Sequence, residues 1–109
     1  MADVLPRYTA AAVQAAPVPL DRDATVERAC ALISDAAKDG ARLIVFPETW
    51  IPTYPWWHTS PNVFSADLFA RLWKNSVEVP SDATRRLSKA AAKAGAYVVI
   101  GVPWMLAIR

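Results

Sequence analysis

The stretch RLIVFPETWIPTYPWW, Arg42 to Trp57, runs four apolar residues into a proline, sets one carboxylate behind it, and then fills a loop with aromatics and further prolines. Leu43 to Phe46 is short and wholly apolar, the pattern of a strand covered on both faces. In an open α/β sheet, side chains just beyond the carboxyl ends of the strands meet at the ligand crevice. Glu48 follows this strand with only Pro47 between, and position alone makes it a candidate site residue. Its neighbours Phe46, Trp50 and Ile51 would desolvate a carboxylate and poise it to accept a proton near neutrality. The structural alternative is a solvated or hydrogen-bonded glutamate that merely ends a strand, and local chemistry does not choose between the two.

Upstream, Tyr8 to Ala15 (YTAAAVQA) is apolar enough for a buried strand and stops where Pro17 and Pro19 remove backbone donors. Val26, Ala29, Cys30, Ile33 and Ala37 then recur at helical spacing, with Arg28, Asp35, Lys38 and Asp39 on the other sides. Asp21 and Asp23 offer N-cap oxygens, and Gly40 can take the left-handed conformation that ends the helix. Downstream, Pro47, Pro52, Pro55 and the crowded aromatics predict a loop to Ser60. Ala66, Phe69, Leu72 and Trp73 restore helical spacing until Pro80. Ser81 can cap a third helix, striped by Leu87, Ala90, Ala91 and Ala94 and closed by Gly95. Tyr97 to Val102 (YVVIGV) reads as a strand. Alternating strands and helices predict an α/β fold with a parallel sheet and right-handed crossovers. No repeat, low-complexity tract or linker interrupts the pattern. The helices can cover only one face of that sheet.

Composition narrows the function classes. At 109 residues, 54% hydrophobic and 20% charged, the chain is a globular domain and not a disordered one. A formal net charge of +2 without a basic stripe gives nucleic acid nothing to follow. The N-terminus lacks a basic segment leading into an apolar one, which predicts a cytoplasmic protein. The apolar run near the end falls short of the roughly 20 residues that span a bilayer, so no membrane association is expected. One cysteine can neither close an intramolecular disulfide nor hold a zinc by itself. No cofactor is implied.

The segments AAVQAAPV, VFPETW with IPTYPWW, and LSKAAAKAGAYVVIGV together resemble the nitrilase branch of the carbon–nitrogen hydrolases, from Thr9 to Val102. The resemblance implies the N-terminal portion of an αββα sandwich over residues 1–102, with helices on one face of a parallel or mixed sheet. It also implies a small nitrile or amide as substrate and a homo-oligomer in the complete form. In that family a glutamate, a lysine and a cysteine act together. The cysteine attacks the nitrile or amide carbon and water hydrolyses the covalent intermediate. By resemblance Glu48 is the general base, removing a thiol proton and later helping to activate water. The lysine's charge would stabilise negative charge developing on the substrate. Trp50, Tyr54, Trp56 and Trp57 could wall a pocket for an apolar nitrile, or pack as structural aromatics.

Several residues depart from the pattern. The family's lysine and cysteine motifs lie downstream of the strand that YVVIGV resembles, and these 109 residues contain neither. Lys38, Lys74, Lys89 and Lys93 read as solvated helix faces, and Cys30 as a core thiol on the first helix's apolar stripe. His58, without a cysteine or serine partner nearby, reads as a loop residue. Thr53 stands where this loop often has glycine. Residues 103–109, PWMLAIR, form an atypical tail in place of the expected charged turn and further strand. The chain by itself is therefore expected to be inactive, whether as a truncated or frame-shifted product or as a non-catalytic partner of a complete subunit. The related amidase branch is the alternative chemistry. A glycosidase pairing Glu48 with Asp67 or Glu78 would need a barrel of about 250 residues. A nucleotide-binding module would need a glycine-rich turn where this chain has AAPVP.

Overall fold

The computed structural model describes residues 4–60 and 65–103. The elements follow in the order β1 (Thr9–Ala12), α1 (Arg22–Lys38), β2 (Ala41–Val45), a 3-10 turn (Trp56–Thr59), α2 (Ala66–Lys74), α3 (Asp82–Ala94) and β3 (Tyr97–Val99). The three strands form one parallel sheet in the order β1-β2-β3. This is the α/β arrangement expected of the N-terminal part of a nitrilase-like sandwich. The expectation of an atypical tail falls, apart from Pro103, outside the described residues.

The helix ends follow from their capping residues. Asp21 accepts from the Ala24 N–H at the start of α1, and Gly40 takes a left-handed φ of 87° just past its end. Ser81 and Thr84 form a reciprocal capping box at α3, which Gly95 closes at φ 63°. The strands are shorter than their apolar runs. β1 ends at Ala12, although Val13 still donates to the Val45 carbonyl. β3 ends at Val99 because the next backbone groups turn to the loop after β2: the Gly101 carbonyl accepts from both Trp50 and Ile51.

Register decides what the sheet buries. Ala11, Ile44 and Val98 lie side by side across the three strands and face the helices. They join Val26, Ala29 and Ile33 of α1 and Ala83 and Leu87 of α3 in the core. Val26, Ile33 and Ile44 are fully buried, each contributing about 1.5–3 kcal/mol of hydrophobic stabilisation. The adjacent rows, Ala10-Leu43-Tyr97 and Ala12-Val45-Val99, point the other way because strand side chains alternate. Among the described residues nothing covers that side. Tyr97 is 83% exposed, Val99 55% and Val45 37%. Helix α2 behaves differently from its apolar spacing. None of its residues is buried, and its Phe69 touches the body edge-to-face on Trp57 at 5.6 Å.

Candidate functional site

Glu48 sits where the sequence puts it, in the turn directly beyond the carboxyl end of the central strand. Two successive side chains anchor that turn. Trp50 is buried against Phe46 with ring centroids 4.8 Å apart, and its indole Nε1–H donates to the Ala15 carbonyl at 2.8 Å. Ile51 is fully buried beside it. Their backbone N–H groups reach the Gly101 carbonyl at 2.8 and 3.3 Å, and the Phe46 N–H reaches the Val99 carbonyl at 2.8 Å. The turn is thus tied to the ends of both neighbouring strands, the extension of β1 on one side and that of β3 on the other.

Glu48 itself is exposed, and none of the ion pairs among the described residues involves it. Phe46, Trp50 and Ile51, which the sequence suggested would desolvate it, all belong to the core cluster. Their burial fixes the turn and does not wrap the carboxylate. Thr49, between Glu48 and Trp50, holds a left-handed φ of 51°. That conformation is unusual for a β-branched residue and persists only where its surroundings enforce it.

The four aromatics divide into two pairs. Trp50 and Trp57 are buried, and the Trp57 Nε1 has no hydrogen-bond partner among the described residues. Tyr54 and Trp56 are exposed, at 45% and 60%. Trp56 meets Trp57 edge-to-face at 6.1 Å, and Tyr54 lies against the His58 ring at 5.8 Å. His58 is exposed, and its Nδ1 meets the Pro55 carbonyl. The loop therefore presents Tyr54 and Trp56 outward, Trp56 against the buried Trp57, while Trp50 turns into the core.

Cys30 lies partly buried between α1 and α3, with its thiol toward the Arg86 carbonyl at 3.8 Å. Burial pushes this thiol above its ordinary pKa, and the nearby Arg86 guanidinium offsets only part of that. A protonated thiol in such a position is a poor nucleophile. Lys38 and Lys93 line the open groove beside it, on exposed helix faces. Among the described residues no three His, Cys, Asp or Glu side chains are placed to hold a metal ion, and no helix is long and apolar enough to cross a membrane.

Comparison with known proteins places the chain in a family. The family described as carbon-nitrogen hydrolase matches residues 9–104, nearly the whole chain. The chain belongs to the carbon–nitrogen hydrolase family. Within that family it is similar to a protein named nitrilase from Bacillus sp. (strain OxB-1), 50% identical over 86 residues, which are 78% of this chain and 25% of that protein. A nitrilase from Pseudomonas syringae pv. syringae (strain B728a) is 50% identical over 93 residues, 84% of this chain and 27% of its own. An arylacetonitrilase from Hypocrea virens (strain Gv29-8 / FGSC 10586) is 46% identical over 91 residues, again 84% and 27%. The chain thus spans about a quarter of the length of the curated relatives it matches.

Two features of the site were not found from the sequence. The contact of Gly101 with the glutamate turn is one, and the left-handed Thr49 is the other. The only sequence signal for the first was a glycine near the end of an otherwise β-branched strand, a place where another backbone often comes close.

Proposed function

We propose that this chain supplies Glu48 as the general base of a nitrilase-type hydrolase whose lysine and cysteine come from polypeptide outside these 109 residues. The observation that carries the proposal is the placement of Glu48. It is the carboxylate of a firmly anchored turn at the carboxyl end of the central strand, in a chain that belongs to the carbon–nitrogen hydrolase family. The names of the relatives, two nitrilases and an arylacetonitrilase, favour a nitrile over an amide as substrate.

In this reading the Glu48 carboxylate accepts the proton of the cysteine thiol as its sulfur bonds to the nitrile carbon. The carbon–nitrogen triple bond loses one of its π bonds, and the nitrogen takes up a proton. The first of two waters adds to the resulting thioimidate carbon and the carbon–nitrogen bond breaks, releasing ammonia and leaving a thioester; the second breaks the carbon–sulfur bond, giving the carboxylic acid and the free thiol. Glu48 activates the water that hydrolyses the thioester. The exposed Tyr54 and Trp56 offer apolar faces to the substrate, while Trp50 and Trp57 hold the loop that carries them. Cys30, partly buried between α1 and α3, takes no part.

The test is a full-length chimera in which residues 9–103 replace the aligned segment of the Bacillus nitrilase, assayed for ammonia release with phenylacetonitrile and phenylacetamide. Turnover of the nitrile, and a loss of about 100-fold or more in kcat on Glu48→Gln, is the expected result. Near-normal turnover by Glu48→Gln would remove the base assignment. Turnover of the amide alone would move the chain to the amidase branch. The isolated 109-residue chain should release no ammonia above a buffer blank, and release abolished by Cys30→Ser would make Cys30 a nucleophile after all.

A further inference from the structure

We propose that Gly101 is a positioning residue for Glu48, its missing side chain being the space in which the glutamate turn sits; this rests on the base assignment above. A Cβ built on Gly101 would lie 2.4 Å from the Thr49 nitrogen, 2.9 Å from the Glu48 Cα and 2.9 Å from the Pro47 carbonyl oxygen. All three are backbone atoms, so no side chain can swing aside to make room. Ordinary van der Waals contact begins near 3.4 Å, and a methyl group here would have to push the turn away by about 1 Å.

The same glycine holds the turn as well as admitting it. Its carbonyl accepts both the Trp50 and the Ile51 N–H groups. The two residues that follow the Glu48–Thr49 peptide are therefore bonded to the very residue on which that peptide rests. Thr49, left-handed at φ 51°, is held between this contact and the buried Trp50. Gly101 itself does not have a left-handed φ, so the requirement for glycine here comes from the close approach and not from its own backbone conformation. Displacing a catalytic group by about 1 Å is enough to cost on the order of 100-fold in rate. A substrate held by Tyr54, Trp56 and the rest of the enzyme would still bind.

The experiment uses the full-length chimera with the nitrile it turns over fastest among phenylacetonitrile, benzonitrile and butyronitrile. Gly101→Ala should lower kcat by about 10- to 100-fold, leave KM within about twofold, and speed hydrogen exchange at the Trp50 and Ile51 amides. Leu87→Ala, in the core contributed by α3, is the control for general destabilisation; its melting temperature should fall at least as far with kcat within about threefold. A Gly101→Ala enzyme with unchanged kcat would overturn the inference, as would a kcat loss no greater than that of Leu87→Ala. Should Gly101→Ala fail to fold, Thr49→Gly tests the same device from the other side. It relieves the left-handed threonine and so should melt no lower, yet it loosens the turn and should lower kcat several-fold; unchanged kcat there would also overturn the inference. Glu48→Gln, run in parallel, separates the two claims: if it is inactive while Gly101→Ala is normal, only the positioning role is lost.

Discussion

Ile44 and Val45 are neighbours in β2 and meet opposite fates. Ile44 is fully buried against α1, whereas Val45 stands 37% exposed on the other side, in a row with Ala12 and Val99. Both faces of the sheet are apolar, and among the described residues only one has a layer of helices on it. The difference teaches that the apolar runs of these strands specify two layers, of which the described residues provide one. The relatives the chain matches are about four times as long, and their remaining polypeptide has room for the other. The glutamate turn belongs to the finished side of this comparison, because its anchors are Trp50, Ile51 and Gly101, all within the described residues.

The largest effect should come from setting the two faces against each other. Ile44→Ala should destabilise the isolated chain by about 2–5 kcal/mol, and Val45→Ala by less than about 1, measured from urea midpoints. Equal losses would mean the outward face is covered after all. In the full-length chimera the gap should narrow, since Val45 would then also be packed.

Next in size is the tie between the turn and β1. Trp50→Phe keeps a ring against Phe46 but leaves the Ala15 carbonyl without its donor, and should cost about 1–3 kcal/mol. A loss within a few tenths would show that the hydrogen bond does not anchor the turn. A smaller effect tests the covered side away from the site. Ser81→Ala removes the oxygen that caps α3 and should cost about 1 kcal/mol, read from the same urea titration.

The smallest effect concerns Cys30. Because burial raises its pKa, less of it is thiolate at neutral pH than of an ordinary cysteine. Its reaction with a disulfide reagent should therefore be slower than that of a free thiol at pH 7 and keep rising to higher pH before levelling off. Cys30→Ser should leave the chimera's turnover within about twofold. Rapid modification at pH 7 would contradict a thiol shielded between α1 and α3.

Much of the fold was legible because its signals are local. Asp21, Gly40, Ser81 and Gly95 mark helix ends by capping chemistry that needs no tertiary context. Strand lengths were less legible. YVVIGV continues as an apolar run past Val99, but where it stops pairing as a strand depends on a loop about 50 residues earlier turning back to Gly101. Helix α2 has helical spacing in Phe69, Leu72 and Trp73, and spacing alone cannot say whether a partner surface lies opposite. At the candidate site, Glu48 is singled out by its place after the strand and by FPETW. Which aromatics turn inward was not found, because Trp50, Tyr54, Trp56 and Trp57 are chemically alike and only packing separates them.

Sedimentation velocity of the isolated 109-residue chain, with a hydrophobic dye read in parallel, tests the one-layer account most directly. An exposed face carrying Tyr97, Val99 and Val45 should draw chains together. The account predicts concentration-dependent association and dye binding, both reduced by the double substitution Tyr97→Lys with Val99→Lys. A monodisperse monomer that binds no dye and melts sharply would contradict it.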